Sequence, residues 1–156
     1  MNARGFSLIE TVVALSLTAV ALSALAHLFI ASAQANADAR RATFASVLAA
    51  QKMEQLRSLG ADLSPRPGGS LADNVEGLCD FLDERGRPLG SGVSPPTGTV
   101  YIRRWSIESL PSDPAETLLL QVMVVRRTWR GTPRGSGNNG PFAGARLVSV
   151  KTWRAG

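Results

Sequence analysis

Few side chains in this sequence could do chemistry, and they are widely scattered. His27 is the only histidine and Cys79 the only cysteine. His27 lies between Ala26 and Leu28, and Cys79 follows Leu78, so neither has a neighbour in sequence that would complete a nucleophile and base or a metal pair. His27 reads as an interfacial or helix-packing residue. Cys79 reads as a small buried hydrophobe that cannot close an internal disulfide, with an intermolecular bridge as the alternative. The carboxylates Asp73, Glu76, Asp80, Asp83 and Glu84 are the type that holds calcium, but their spacing is not that of an EF-hand loop, and solvated loop charges are the simpler reading. The glycine-rich stretch from Ser136 to Gly140 lacks the lysine and helix of a phosphate loop and reads as a turn. No catalytic residue, cofactor or metal site is expected.

One carboxylate is different in kind. Residues 11–33 contain no Asp, Glu, Lys or Arg, which is long enough to span a bilayer. Glu10 stands at the head of this run, after Phe6, Leu8 and Ile9 have already begun it. A carboxylate in a membrane segment costs several kcal/mol unless it finds a partner. Its presence argues for a state in which it meets a positive group on another chain. A cleaved secretory signal fits poorly, because its apolar stretch is about 7 to 15 residues and is followed by a small-x-small site.

The residues Arg4-Gly5-Phe6-Ser7-Leu8-Ile9-Glu10 resemble the cleavage and methylation motif of type IV prepilins and type II secretion pseudopilins. The resemblance implies a leader of residues 1–5, cut after Gly5 by a membrane prepilin peptidase that also methylates the new amino terminus of Phe6. It implies that Glu10 guides docking into the growing fibre. Physics is consistent with these roles: glycine lets a protease approach the backbone closely, and the new ammonium can pair with a neighbour's Glu10 where the dielectric is low. The partners implied are the peptidase, other pilins or pseudopilins met through the N-terminal helix, the inner-membrane assembly platform, and membrane lipid before assembly. The implied location is the inner membrane, single-pass with the C-terminal domain in the periplasm or outside, and then the pilus or pseudopilus. The sequence departs from many major pilins at position 27, where His replaces a helix-kinking proline.

Past Ala33 the helical pattern becomes amphipathic, with Ala42, Ala45, Ala49, Met53 and Leu56 at three- and four-residue spacing and Leu48 and Leu59 beside them. With no Gly or Pro from Phe6 to Leu59 and Gly60 as a stop, one helix of about fifty residues is expected, about 80 Å long. Its first part, 6–33, is the transmembrane and assembly segment, and 34–60 is the spine of the globular domain. Residues 51–59 resemble the end of this helix in minor pilins of the V type and minor pseudopilins of the I type. Residues 61–98 hold seven of the fifteen glycines and five of the nine prolines, a variable loop region. Within it, Leu78–Leu82, the turn Asp83-Glu84-Arg85-Gly86 and Pro88-Leu89 read as a short strand and turn that could form a hairpin. Strands follow at Thr99–Ile107, Leu118–Arg127 and Ala145–Trp153, with Leu118, Leu120, Val122 and Val124 sharing the face that covers the helix. The fold class is thus α+β and pilin-like: one long N-terminal helix packed on an antiparallel sheet of three to four strands, the sheet filling 99–156.

The net charge of +5 is uneven: +2 over residues 1–60, −3 over 61–98 and +6 over 99–156. In the last segment Arg126, Arg127, Arg130 and Arg134, with Arg103, Arg104, Arg146, Lys151 and Arg154, could meet a nucleic acid, and Trp105, Trp129 and Trp153 could stack on bases. Basic residues spread over strands more often form a solvated face, and tryptophans in strands more often pack. The reading that results is a minor pilin-like structural subunit of a type IV pilus or its tip or initiation complex, without catalytic activity. The alternatives are a minor pseudopilin of a type II secretion system, a DNA-binding pilin of a DNA-uptake pilus, or a single-pass anchored periplasmic binding module.

Overall fold

The computed structural model describes residues 7–59, 63–66, 68–127 and 144–152. Its first element is α1, Leu8–Ser58, a single α-helix of 51 residues. The carbonyl of Ser7 accepts hydrogen bonds from the amides of Glu10 (3.0 Å) and Thr11 (3.2 Å), which starts the helical ladder. Ser7-Leu8-Ile9-Glu10 also has the residue types of a capping box, and Glu10 lies in the first turn, where the helix dipole favours an anion. Helix formation needs little help here, since the segment is rich in alanine and leucine and free of glycine and proline. The chain divides into two compact units, Met1–Ala39 and Arg40–Gly156, and α1 contributes to both.

In the first unit the helix buries no side chain: Leu8, Ile9, Val12, Val13, Leu15, Leu17, Val20, Leu22, Leu25, Leu28, Phe29 and Ile30 are all exposed. This helix is long and apolar enough to cross a membrane. Two of its hydroxyls are satisfied internally: Ser16 donates to the carbonyls of Val12 and Val13 at 2.9 Å, and Thr18 to that of Ala14 at 2.8 Å. Such back-bonding removes most of the penalty a hydroxyl would carry in hydrocarbon.

In the second unit a five-stranded antiparallel sheet has the order β2-β1-β3-β4-β5, where β1 is Cys79–Leu82, β2 Pro88–Gly90, β3 Tyr101–Leu110, β4 Asp113–Arg126 and β5 Gly144–Thr152. The expectation of three to four strands is corrected to five. The added strand is β2, three residues that pair Phe81 with Gly90 and Leu82 with Pro88. A proline suggests a turn exit, yet it is allowed on an edge strand, where its missing N–H costs no ladder bond. Both arms of this hairpin fall inside 61–98, where a short strand and turn that could form a hairpin were expected, and Arg66 of the same stretch bridges to Ile107.

The core lies between the helix and one face of the sheet. Ala45, Leu48, Ala49, Met53 and Leu56 of α1 pack with Leu82, Tyr101, Trp105, Ile107, Leu118, Leu120, Val122 and Val124. The four β4 residues alternate as expected and are essentially inaccessible to solvent. Each such Leu or Met removed from water contributes about 2 kcal/mol. The stripe is narrower than expected at its ends: Ala42 is half-buried and Leu59 is exposed. Behind the sheet, Cys79, Phe81, Ile102 and Val125 form a second, smaller cluster.

The hairpin tip rests on the helix. At Gly86 the backbone has φ +77°, and a side chain there would meet Leu48 Cδ2 at 2.7 Å and Phe44 Cζ at 3.4 Å. Only glycine suits both the left-handed conformation and this close approach. Asp83 organises the turn by accepting from the amides of Arg85 and Arg87, both at 2.8 Å.

Candidate functional site

Of the residues that carry the prepilin resemblance, Gly5 and Phe6 lie outside the described residues. Glu10 is exposed on the first turn of α1, at the start of the uncharged run. His27 is exposed farther along the same helix. The N-terminal arrangement is therefore an acid placed at the head of a continuous apolar helix that buries nothing in its own chain. Ser7, whose carbonyl starts the ladder, was not singled out from sequence, although its spacing to Glu10 carried the signal.

The basic residues of β3 are not at the surface. Arg103, only 8% exposed, faces the helix, and its Nη2 and Nε donate to Asp80 Oδ2 at 2.7 and 3.2 Å. Its Nη1 donates to the carbonyl of Leu48 at 3.2 Å and to Gln51 Oε1 at 3.5 Å. Lys52, 9% exposed, brings its Nζ to 3.5 Å from the same Asp80 oxygen and 3.6 Å above the centre of the Trp105 ring. Two cations thus share one carboxylate between helix and sheet. Burial pushes the Lys52 ammonium below its ordinary range, with Arg103 adding to the effect and Asp80 opposing it.

Arg104 points behind the sheet, where its Nε donates to Asn74 Oδ1 at 2.9 Å and its Nη1 to the carbonyl of Leu71 at 3.1 Å. Burial pushes its guanidinium down, against the pull of Asp73, but an arginine stays charged regardless. With Trp105 in the helix-facing core, three residues considered for nucleic acid are structural instead. Arg126 and Arg127 are half-buried at the end of β4, and Arg146 is exposed on β5 with Nη2 donating to Gln121 Oε1. Arg130, Arg134, Trp129, Trp153 and Arg154 lie outside the described residues.

The five loop carboxylates are dispersed rather than convergent. Asp80 turns inward to Arg103, Asp83 closes its own turn, and Asp73 accepts from the Ser70 hydroxyl at 3.2 Å. Among the described residues no group of three or more His, Cys, Asp or Glu could hold a metal ion. Cys79 is fully buried, and its thiol donates to the carbonyl of Gly92 at 2.9 Å.

Sequence reasoning missed Lys52 and read Asp80 as a solvated loop charge, whereas it is the counter-charge of Lys52 and Arg103. The readable signal was a lysine inside the apolar stripe, one residue before Met53, which is the position a buried and paired cation takes.

Residues 1–26 match the family model of the prokaryotic N-terminal methylation motif, the signature of type IV prepilins and pseudopilins. No curated protein and no solved structure matches the chain. The motif implies processing by a prepilin peptidase and assembly with other pilins, and together with the apolar helix it fits a membrane-anchored pilin.

Proposed function

We propose that this chain is a minor pilin-like structural subunit, cut after Gly5, N-methylated on Phe6, and inserted through its helix into a type IV pilus or its tip or initiation complex. The observation that carries this reading is the methylation motif running directly into an uninterrupted helix whose first unit exposes every large apolar side chain. Before assembly, lipid covers that surface; afterwards, the helices of neighbouring subunits do. Glu10 is the charge that makes the second state preferable, because a carboxylate facing lipid is costly and one facing a neighbour's terminal ammonium is neutralised.

The same chemistry serves a minor pseudopilin of a type II secretion system. A DNA-binding role has less support, because Arg103, Arg104 and Trp105 are committed to the interior. The single-pass orientation, with residues 1–5 in the cytoplasm and the sheet domain on the far side, belongs to this reading, as does contact with the assembly platform.

The test is the mass and N-terminal residue of the chain from native membranes, with the peptidase present and absent. A mature protein beginning at methylated Phe6 supports the reading. An intact Met1 in the presence of active peptidase, or a cut beyond Ala33, would sink it.

A further inference from the structure

Arginines, four exposed and two half-buried, gather at one end of the sheet domain. Tyr101, at the start of β3, packs against Phe44 with the rings tilted by 59° and their centres 5.6 Å apart, and it is paired in register with Arg126 and with Leu82. Arg127 follows, donating its amide to the carbonyl of Val100 at 2.8 Å. Beyond Leu82 comes the β1–β2 turn, which bears exposed Arg85 and Arg87 and rests on Phe44 and Leu48 through Gly86. One turn back along the helix from Phe44 are Arg40 and Arg41, both exposed, at the point where the chain enters this unit.

The ends of three strands and the start of the helical spine therefore bring six arginines to one pole. Among the described residues, Glu84 and Asp83 stand against them at this end of the sheet, the latter occupied in its own turn. Asp38 is the next carboxylate along the chain. The opposite pole is mixed: Arg57 pairs with Glu54 at 3.3 Å, Lys151 donates to the Arg57 carbonyl, and Asp113 and Glu108 lie at that end of the sheet.

We infer that this arginine pole, Arg40, Arg41, Arg85, Arg87, Arg126 and Arg127, is a docking surface for the anionic headgroups of the bilayer in which the helix is anchored. The inference rests on the membrane-anchored reading above and adds a partner to it. Charge complementarity selects the occupant, and the chain itself delivers it. From Ala33, the end of the expected transmembrane segment, to Arg40 is seven residues, a reach of at most about 25 Å even if fully extended. Arg40 and Arg41 are thus tethered within that reach of the end of the segment. Each arginine held within a Debye length of an anionic surface gains about fivefold in affinity. Release of this contact then becomes a step that precedes transfer of the subunit into a fibre.

The test uses the full-length chain, reconstituted in nanodiscs of phosphatidylcholine alone or with phosphatidylglycerol mixed in, and arginine labelling by phenylglyoxal read site by site in a mass spectrometer. Labelling of Arg40, Arg85, Arg87, Arg126 and Arg127 should slow by about fivefold or more in the anionic discs, and high salt should abolish the difference. Arg57, exposed at the opposite pole beside Lys151, should label equally in both. Equal labelling of the pole in both discs, with the chain still floating with vesicles, overturns the inference and leaves the anchor intact. Equal labelling in discs combined with protection on fibre formation overturns it in favour of a neighbouring subunit's acidic face. A chain that floats with neither kind of vesicle removes the anchored reading, and this inference with it.

Discussion

Replacing Asp80 by asparagine tests the electrostatic joint between helix and sheet. The carboxylate is the shared counter-charge of Arg103 and Lys52, and its loss leaves two nearly inaccessible cations beside one another. Breaking a buried ion pair by removing one partner costs about 3–5 kcal/mol. The Asp80 side chain is 21% exposed, and Arg103 keeps the Leu48 carbonyl and Gln51, which places the expectation at the lower end, about 3 kcal/mol. For a domain of this size that is a fall of about 12 °C in Tm. Scanning calorimetry of the full-length chain in detergent measures it. The apolar triple replacement Lys52→Met, Asp80→Leu, Arg103→Met should lie within about 1 kcal/mol of the parent, because no unpaired charge remains. A loss below about 0.5 kcal/mol for Asp80→Asn would refute the account, as would a triple variant less stable than Asp80→Asn.

Lys52→Met alone should be far milder. The folded pKa of Lys52 lies below the ordinary lysine value of 10.5, so the fold bears a penalty for the charged form that is fully present at neutral pH. That penalty is relieved as pH rises through the folded value towards 10.5, so the parent should gain stability relative to Lys52→Met over that alkaline window and not below it. Glu10→Ala should still be inserted and processed but should disappear from sheared fibres, as an immunoblot of membrane and fibre fractions would show. Gly86→Ala should lower stability by about 1–3 kcal/mol in denaturant titrations, since it combines a positive φ with a contact of 2.7 Å to Leu48. Cys79 should react with a thiol reagent only at the rate of unfolding, and fast labelling of the native chain would contradict its burial.

The long helix was legible because twenty-three residues without a charge and the absence of glycine and proline leave few alternatives. The strand containing Leu118, Leu120, Val122 and Val124 was legible because one face is buried and a period of two follows. β3 was harder. Tyr101 to Ile107 are all buried, so the polar Arg103, Arg104 and Ser106 look like a solvated face when they are enclosed on both sides. What meets the two arginines comes from elsewhere in the chain: Asp80 is the partner of Arg103 through the pairing of β1 with β3, and Asn74 and Leu71 meet Arg104 from the loop behind the sheet. Pairing across twenty or more residues leaves no local trace. The prepilin motif, by contrast, is wholly local, which is why residues 1–26 could be read at once.

The strand order has a kinetic corollary. Every strand in the order β2-β1-β3-β4-β5 lies beside a neighbour in sequence, apart from the step from β1 to β3 across the short β2 arm, so the sheet closes by local steps. The helix is made first on the ribosome, yet Ala45, Leu48, Ala49, Met53 and Leu56 find their cover mainly on β3 and β4. Their stripe stays bare until those strands have emerged, and a chain halted before Leu118 presents it to the first chaperone that arrives.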